Sequence, residues 1–506
     1  EDQRAMTQVA AGRDTPLLQM QGIDKSFPGV HALRGIDLTL MPGEVLALLG
    51  ENGAGKSTLI KILGGAHQPD SGSIEIEGEV VSIDSPADAI RAGIGIIYQE
   101  FNLVPALSAW ENIFLGRERT KAGFIRRRDE RRRAQELFDR IGVRVPIDAP
   151  CGSLSVAQQQ IVEIAKALSQ EVRIIVMDEP SATLTPAEVS CLFDIIRDLR
   201  AQGIGVIYIS HRLDEIFQIA NRVSVIRDGE PVGTVPIEEL TRVTMIEMMV
   251  GRKIENEFPK HRHPIGDTRL QVTDLGRGQA VRQLSFEVRR GEVLGVTGLV
   301  GSGRTEAARL IFGADQADTG TITLDGVPLR IRGPRDAIGS GICLLTEDRK
   351  SQGLILGMSV RENFGLPNLP EFTVAGFIRQ EEEAQAFAGH VDALSIKIPH
   401  QEQAARNLSG GNQQKVVLAK WLQRNAEVII FDEPTRGIDV GTKYDIYLLI
   451  NDLAKAGKAI IMISSELPEI LGMSDRILVM HEGRKVGMVD DPATATQTQL
   501  MDLAVG

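Results

Sequence analysis

Short apolar runs alternate with amphipathic stretches along the whole chain. The runs E-V-L-A-L-L-G at 44–50 and R-I-I-V-M-D at 173–178 are typical of strands that are buried on both faces of a sheet. An amphipathic segment, K-S-T-L-I-K-I-L, begins at Lys56 and predicts a helix. Strands that alternate with helices in this way predict an α/β fold with a mostly parallel sheet covered on both faces.

The first half of the chain divides into three stretches. Three β-rich segments come first, at 17–23, 31–40 and 44–50. After the helix at Lys56 comes a helical stretch of about 50 residues, and then strands alternate with helices again.

The second half repeats the first at a nearly constant spacing. The octapeptide G-E-N-G-A-G-K-S at 50–57 returns as G-L-V-G-S-G-R-T at 298–305, an offset of 248 residues. From Ser155 onwards the offset is 254, so the second copy contains six extra residues between positions 99 and 155. Insertions collect in surface segments, and we expect a separate subdomain on the rim here.

A repeat of this length predicts two copies of one domain. We expect the first domain at 15–252 and the second at 269–506. The residues between them, 253–268, contain two prolines and mixed charge and predict a short linker.

Composition disfavours several classes of protein. Of the 506 residues, 42% are hydrophobic and 25% are charged, and the net charge of −12 disfavours a nucleic-acid backbone as a partner. The three cysteines form no C-x-x-C pair, so neither a disulfide framework nor a zinc site is expected. No run approaches 18 apolar residues and the first residues are polar. We therefore expect no transmembrane helix and no signal peptide, and any membrane role to act through a partner.

One run of charge, I-R-R-R-D-E-R-R-R at 125–133, has two interpretations. It is either a contact for anionic lipid or a solvated helix face. In the second case Asp129 and Glu130 pair with arginines at helical spacing, and we favour that interpretation.

The first copy contains a complete phosphate loop of the form G-x-x-x-x-G-K-[ST]. Glycines in such a loop let backbone N–H groups wrap phosphate oxygens at a helix N-terminus. Lys56 is expected to reach the β- and γ-phosphates, and the Ser57 hydroxyl to bind Mg²⁺. The nucleotide-binding residues predicted here are Gly50, Glu51, Asn52, Gly53, Ala54, Gly55, Lys56, Ser57 and Thr58.

Two carboxylates end the buried run at 173–178. Asp178 is expected to hold Mg²⁺ through water, and Glu179 to orient and deprotonate the attacking water. Two acids at a strand end more often cap a helix, but a phosphate loop in the same α/β domain favours the catalytic interpretation.

Three further residues are informative only together with these. Gln99 follows one strand and is expected to reach the metal or the attacking water. His211 follows another strand and is expected to contact the γ-phosphate. Phe27 precedes the phosphate loop and is expected to stack on adenine. Taken singly, His211 and Phe27 would more often be core residues.

A second anion-binding string, the signature L-S-x-G-x, combines a serine with glycine amides at a helix start. It is intact in the second copy as L-S-G-G-N at 408–412, which predicts that Ser409, Gly410 and Gly411 bind phosphate. The first copy has L-S-V-A-Q at 154–158, where valine and alanine add Cβ atoms.

The phosphate loop, Gln99, the signature, D-E-P and S-H-R, in this order, resemble the nucleotide-binding domains of ATP-binding cassette (ABC) transporters. The resemblance covers essentially the whole chain, in two copies. The strings L-S-G-G-N-Q-Q-K at 408–415 and F-D-E-P-T-R-G-I-D-V-G-T-K at 431–443 are similar to the fused double ATPase subunit of bacterial simple-sugar importers, of the ribose, galactose or xylose type.

The resemblance implies a fold, cofactors and partners. Each domain is expected to have a RecA-like, mostly parallel core, an antiparallel β subdomain and an α-helical subdomain, and to use ATP and Mg²⁺. In that family the ATPase is peripheral to the cytoplasmic face of the inner membrane, on two integral-membrane permease subunits. A sugar-binding protein outside the membrane acts with the permeases, and neither nucleic acid nor zinc is implied.

In ABC transporters the cassettes pair head-to-tail, so each ATP lies between the phosphate loop of one and the signature of the other. The resemblance therefore implies one complete and one degenerate composite site. The complete site contains Lys56, Ser57, Gln99, Asp178, Glu179, His211, Ser409, Gly410 and Gly411. The degenerate site contains Gly298, Gly303, Arg304, Thr305, Glu347, Asp432, Glu433, Ser465, Ser155, Val156 and Ala157.

The departures in the second copy affect the chemistry directly. Arg304 is a wider, planar donor than lysine. Glu347 places a negative charge where a neutral amide is expected, and Ser465 lacks an imidazole. No aromatic residue matches Phe27, because the second copy has G-R-G-Q at 276–279. Only one of the two sites is therefore expected to be hydrolytic.

Two soluble classes of paired cassettes are the alternatives. A translation-associated double cassette would be expected to have a long charged linker and two intact nucleotide sites. A DNA-repair double cassette would be expected to carry zinc-binding cysteines. The short linker, the eroded site and the three scattered cysteines disfavour both.

Overall fold

The computed structural model describes residues 15–121, 124–182, 184–254 and 256–505. The chain divides into two compact units, the first of which ends at Ile254. Both units are α/β, which confirms the predicted fold class. Across the described ranges, no helix combines the length and the apolar character that crossing a bilayer requires.

The strands of the first unit are β1 (Leu18–Phe27), β2 (Val30–Leu40), β3 (Val45–Leu49), β4 (Ser71–Ile76), β5 (Glu79–Val80), β6 (Ile94–Ile97), β7 (Thr120–Lys121), β8 (Phe124–Ile125), β9 (Ile174–Asp178), β10 (Gly205–Ile209), β11 (Arg222–Arg227) and β12 (Glu230–Pro236). Its α-helices are α1 (Lys56–Leu63), α2 (Pro86–Arg91), α3 (Ala109–Phe114), α4 (Arg127–Ile141), α5 (Val156–Leu168), α6 (Pro186–Ala201), α7 (Leu213–Ile219) and α8 (Arg242–Val250).

The strands of the second unit are β13 (Thr268–Arg277), β14 (Val281–Arg289), β15 (Val293–Gly298), β16 (Thr319–Leu324), β17 (Val327–Leu329), β18 (Ile342–Leu345), β19 (Thr373–Val374), β20 (Phe377–Ile378), β21 (Val428–Asp432), β22 (Ala459–Ile463), β23 (Arg476–His481) and β24 (Arg484–Val489). Its α-helices are α9 (Arg304–Phe312), α10 (Pro334–Gly339), α11 (Val360–Gly365), α12 (Leu369–Phe372), α13 (Gln380–Ala393), α14 (Gly410–Gln423), α15 (Val440–Lys455), α16 (Leu467–Met473) and α17 (Gln497–Val505).

Each unit is built on a six-stranded sheet. In the first unit the order is β12-β11-β3-β10-β9-β6, and all neighbours are parallel except β12 with β11. All five residues of β3 are buried, and so are all five of β10. The central sheet shares a core with α1 and with the antiparallel strands β1, β2 and β4. The carboxyl ends of β3, β10, β9 and β6 therefore lie side by side at one edge.

The second unit repeats this topology. Its central sheet has the order β18-β21-β22-β15-β23-β24, the same sequence of strands viewed from the other side. Each unit also has an antiparallel sheet, β2-β1-β4-β5 in the first and β14-β13-β16-β17 in the second. A helical region follows in each, α3 to α5 and α11 to α14. The predicted parallel core, antiparallel region and helical region are thus present in both units.

The first antiparallel hairpin differs in length between the units. Seven residues separate the paired residues Lys25 and Leu33, whereas three separate Arg277 and Val281. Phe27 lies in the part of the hairpin that the second unit lacks. The missing aromatic residue of the second copy therefore reflects a shorter loop.

The six extra residues of the second copy do not all lie in one place. Val104 and Ile355, whose N–H groups donate to equivalent asparagine side chains, are 251 positions apart. Since Glu347 lies at the offset of 248, three of the extra residues fall directly after it. They contribute to a π-helical turn, Arg349–Gly353, which lies close to the predicted site residues. The turn is exposed at Lys350, Ser351 and Gln352, as expected for an insertion, but it lies before the helical region α11 to α14.

The segment 256–266, within the predicted linker, packs on the second unit. The ring of Phe258 lies 5.6 Å from that of Tyr447. Lys260 forms an ion pair of 2.8 Å with Asp475, and both side chains are largely buried. The connection between the units is therefore anchored at its C-terminal end.

The arginine run forms the start of α4. Arg126 and Arg132 form ion pairs with Asp129, as expected for a solvated helix face. Glu130 differs from the prediction, because it is buried and accepts a hydrogen bond of 2.7 Å from the backbone N–H of Arg119. This hydrogen bond connects the start of the β7–β8 strand pair to α4.

Candidate nucleotide-binding sites

The phosphate loop of the first unit joins β3 to α1. Gly55, at φ 107°, is the N-cap of α1, so the loop presents backbone N–H groups at a helix start. A Cβ atom on Gly50 would lie 2.2 Å from the carbonyl oxygen of Ile226, and one on Gly55 would lie 2.7 Å from that of Ala32. Both positions therefore require glycine.

Lys56 turns back over this loop. Its Nζ donates to the carbonyl oxygens of Gly50, at 2.7 Å, and Glu51, at 2.9 Å. The ammonium charge is thus held at the mouth of the loop, where an anion would be attracted.

Four predicted residues meet at the neighbouring strand ends. The Nε2 of Gln99, after β6, donates to Oε2 of Glu179 at 3.0 Å. The Nδ1 of His211, after β10, lies 3.1 Å from Oε1 of the same carboxylate. Asp178 is the last residue of β9 and precedes Glu179. The parallel order of the strands brings these side chains together.

The two carboxylates have opposite electrostatic environments. The hydrogen bond from His211 lowers the pKa of Glu179, against the effect of burial. Burial raises the pKa of Asp178, and the charge of Glu179 adds to that effect. Glu179 is therefore held ionised, which suits a residue that accepts a proton from water.

Phe27 lies at the tip of the first hairpin and is 36% exposed. Its ring meets that of His67 edge-on, with 5.3 Å between centroids, and Lys25 lies over it at 5.7 Å. It is therefore not a core residue. The adjoining strand β2 supplies Ala32, which lies against Gly55 of the phosphate loop.

In the second unit the loop cation has a different partner. Arg304 is 9% exposed, and its Nη1 donates to the carbonyl oxygen of Ser464 at 2.9 Å. The same nitrogen lies 3.9 Å from Oε1 of Glu433. Thr305 donates to Oδ1 of Asp432 at 3.3 Å. The guanidinium is thus directed at the strand ends, whereas Lys56 is directed at its own loop.

The strand-end carboxylates of the second unit lack the histidine. Ser465 donates to Oε2 of Glu433 at 3.1 Å. Burial raises the pKa of Asp432 to about 6 and that of Glu433 to about 7. At Glu433 the effect of burial exceeds the opposing effects of the Arg304 charge and the Ser465 hydroxyl, so Glu433 holds a proton more readily than Glu179.

Glu347, which matches Gln99 in sequence, forms an ion pair with Arg436 instead of bonding to Glu433. Arg349, two residues later, donates to the carbonyl oxygens of Arg436 and Gly437. Sequence reasoning missed Arg349 and Arg436. The length difference after Glu347 was the available signal.

Both signature serines are helix N-caps. Ser409 accepts hydrogen bonds from the backbone and side-chain nitrogens of Asn412 at the start of α14. Ser155 caps α5 in a reciprocal arrangement with Gln158. Each signature thus lies at a helix start, and Val156 adds an exposed side chain there in the first unit.

A phosphate loop between a buried strand and a helix, an Asp-Glu pair at a nearby strand end and a capped signature helix define an ABC-type ATPase domain, here in two copies. The family model described as "ABC transporter" matches residues 33–182 and 281–436. The chain belongs to this family.

The chain is similar over nearly its whole length to named transport proteins. It is 51% identical over 94% of its length to "Ribose import ATP-binding protein RbsA 3" of Rubrobacter xylanophilus, and covers 96% of that protein. It is 48% identical over 97% of its length to "Ribose import ATP-binding protein RbsA" of Geobacillus kaustophilus, and covers 99% of it. A "Putative ribose/galactose/methyl galactoside import ATP-binding protein" of Pseudomonas syringae pv. tomato is 48% identical, with 97% and 93% covered. These names do not favour the soluble alternatives.

Proposed function

We propose that this chain hydrolyses ATP to drive the import of a monosaccharide through a membrane permease. The observation that carries the proposal is the cluster around Glu179, which receives Gln99 and His211 at hydrogen-bond distance beside an intact phosphate loop. The printed names of its relatives, which refer to ribose and galactose import, support the substrate class.

The residues fit ATP and Mg²⁺. The glycine cradle at Gly50 and Gly55 leaves no room for a Cβ atom, and Lys56 supplies positive charge beside it. In the second unit, the hydroxyl and carboxylate at the equivalent metal positions, Thr305 and Asp432, are in contact. Hydroxyl, carboxylate and amide oxygens are the ligands that Mg²⁺ prefers. In the first unit Ser57, Asp178 and Gln99 would hold it, in part through water, and the bound ion would neutralise phosphate charge.

The other predicted residues have distinct roles. Glu179 orients the attacking water and accepts its proton. His211 keeps Glu179 ionised. It also contacts the γ-phosphate. Phe27 offers its exposed ring to the adenine base.

The complete site combines this first-copy set with the signature of the second copy, Ser409, Gly410 and Gly411. The degenerate site combines Gly298, Gly303, Arg304, Thr305 and Glu433 with Ser155. Arg304 is directed at Glu433 rather than at its own loop, and Ser465 takes the place of the histidine, so we expect this site to contribute little turnover.

Two permease subunits would bind the chain at the cytoplasmic face of the inner membrane, with a sugar-binding protein on the other side. The domain limits follow the repeat, 15–252 and 269–506, with 253–268 between them. The apolar runs of the chain build sheets and helices inside each domain, so passage of the sugar requires partner proteins.

Purification of the tagged chain from native membranes tests the proposal. A pair of integral-membrane permeases should co-purify, whereas ribosomal proteins or nucleic acid would favour the soluble alternative. Uptake of labelled ribose, galactose and xylose should then be measured in cells with the wild-type chain or Glu179→Gln. Loss of uptake of at least one sugar is expected, with Arg197→Gln, at an exposed ion pair, as the control. Unchanged uptake of all three would contradict the substrate class.

A further inference from the structure

Three side chains of the second unit join the segment after Glu347 to the segment after Glu433. Glu347 forms an ion pair with Arg436. In return, Arg349 donates from Nη1 to the carbonyl oxygen of Arg436 at 3.0 Å and from Nη2 to that of Gly437 at 3.3 Å. The two segments, nearly 90 residues apart in sequence, are thus bonded at three points.

The same arginine lies against the signature. A Cβ atom on Gly410 would lie 2.7 Å from Nη2 of Arg349 and 3.5 Å from the carbonyl oxygen of Gly437. Glycine at 410 therefore lets the guanidinium pack directly on the start of α14. Because two carbonyl oxygens hold the planar group, it forms a fixed support for that helix start.

The first unit lacks this arrangement in the parts that the structure describes. Gln99 bonds to Glu179, and the signature position that matches Gly410 is Val156. The π-helical turn that carries Arg349 arises from the three residues inserted after Glu347. The unit with the inserted arginine is thus the unit with the glycine in its signature.

We propose that Glu347, Arg349 and Arg436 are positioning residues for the hydrolytic site. They hold the second-copy signature in the geometry that completes the nucleotide site on the first-copy phosphate loop. The proposal rests on the composite site of the proposed function. It assigns Glu347 a role in the working site, in place of its interpretation as an eroded glutamine.

Glu347→Gln separates these two interpretations. If Glu347 is an eroded residue, glutamine restores the ordinary motif, and turnover is unchanged or higher. If Glu347 holds Arg436, its loss lowers kcat for MgATP by about fivefold in the purified transporter, the scale of a lost ion pair. Nucleotide affinity, measured with a fluorescent ATP analogue, should stay within about twofold, because the first-copy loop is intact. Unchanged or raised kcat would overturn the proposal.

A double-mutant cycle tests whether the pair acts as a unit. Glu347→Gln, Arg436→Gln and the double variant should show the same loss, because each removes the same ion pair. Additive losses would refute the coupling.

Arg349→Ala should lower kcat by about tenfold and Arg349→Lys by less, because lysine keeps one donor but not the two parallel donors of the guanidinium. Equal losses for lysine and alanine, together with a lower melting temperature, would indicate a role in folding only.

The result at Lys56 distinguishes a failure of the proposed function from a failure of the positioning role. If Lys56→Ala retained hydrolysis, the assignment of the working site would be wrong whatever the result at Glu347. If Lys56→Ala abolished hydrolysis and Glu347→Gln had no effect, only the positioning role would fail. Arg379→Gln, at an exposed ion pair of the second unit, is the matched surface control.

Discussion

His211 and Glu179 lie 3.1 Å apart, and the same distance separates Ser465 from Glu433 in the other copy. The hydrogen bond to the carboxylate is kept, but its partner is an imidazole in one copy and a hydroxyl in the other. The pKa of Glu179 is lowered, whereas that of Glu433 is raised to about 7. The two carboxylates therefore differ in how readily they hold a proton, although each accepts a hydrogen bond at the same distance.

We expect Glu179→Gln to abolish steady-state ATP hydrolysis and Glu433→Gln to leave most of it. The first change removes the proposed proton acceptor, and general-base catalysis contributes about 100-fold or more. The measurement is phosphate release by the assembled transporter. Equal damage from the two substitutions would show that both sites turn over.

His211→Ser converts the first copy to the arrangement of the second. Without the imidazole, Glu179 loses the hydrogen bond that lowers its pKa, and the proposed contact with the γ-phosphate is lost as well. The lost phosphate contact should lower kcat by about tenfold or more. The reverse change, Ser465→His, should not raise turnover, because Arg304 remains directed at Glu433. A pH–rate profile of each variant checks this, and a gain with Ser465→His would contradict it.

Phe27→Ala should raise the KM for ATP by about fivefold, the scale of one aromatic contact. The control in the second copy is Arg277→Ala, at the end of the shorter hairpin, which removes an ion pair with Asp315. Since the second hairpin lacks the tip, this variant should leave the KM unchanged. A similar rise in both variants would mean that Phe27 acts through the hairpin fold.

Asp315→Asn should destabilise the second unit in a pH-dependent way. Hydrogen bonds from Arg309 and Arg277 lower the pKa of Asp315 from 3.8 to about 2. A lowered pKa stabilises the fold above pH 3.8, and this contribution is lost as the pH falls toward 2. Solvent screening reduces the effect to about 1 kcal/mol at pH 7.

Calorimetric unfolding between pH 3 and 7 measures this loss. The difference in free energy of unfolding between the wild type and Asp315→Asn should decrease as the pH falls toward 3. Asp194→Asn, which removes an exposed ion pair with Arg197, should leave the free energy of unfolding almost unchanged at any pH.

The placement of the predicted site residues could be read from the sequence because it depends on short motifs. A phosphate loop, a D-E strand end and a signature each carry their geometry within a few residues. The order of parallel strands then brings Gln99, Glu179 and His211 together. For these residues, motif and fold give the same answer.

The contacts of Arg349 were not readable in this way. Its partners lie 87 and 88 positions away, and no spacing rule links an inserted residue to so distant a carbonyl. Likewise, Glu130 follows the helical pattern of a surface acid but is buried and accepts a hydrogen bond from the backbone of Arg119. In both cases tertiary packing, rather than local periodicity, decides the environment.

Glu179 and Glu433 share one more property, a positive φ of 48° and 49°. Such a backbone costs a non-glycine residue about 1 kcal/mol. In each copy the N–H of the glutamate donates to the strand beside it, to Ile209 or Ile463, at 2.9 Å. The turn is therefore set by the main chain and not by the carboxylate. The carboxylate can therefore be substituted at either position while the turn is kept. Each copy then serves as the reference for a substitution in the other, within one molecule.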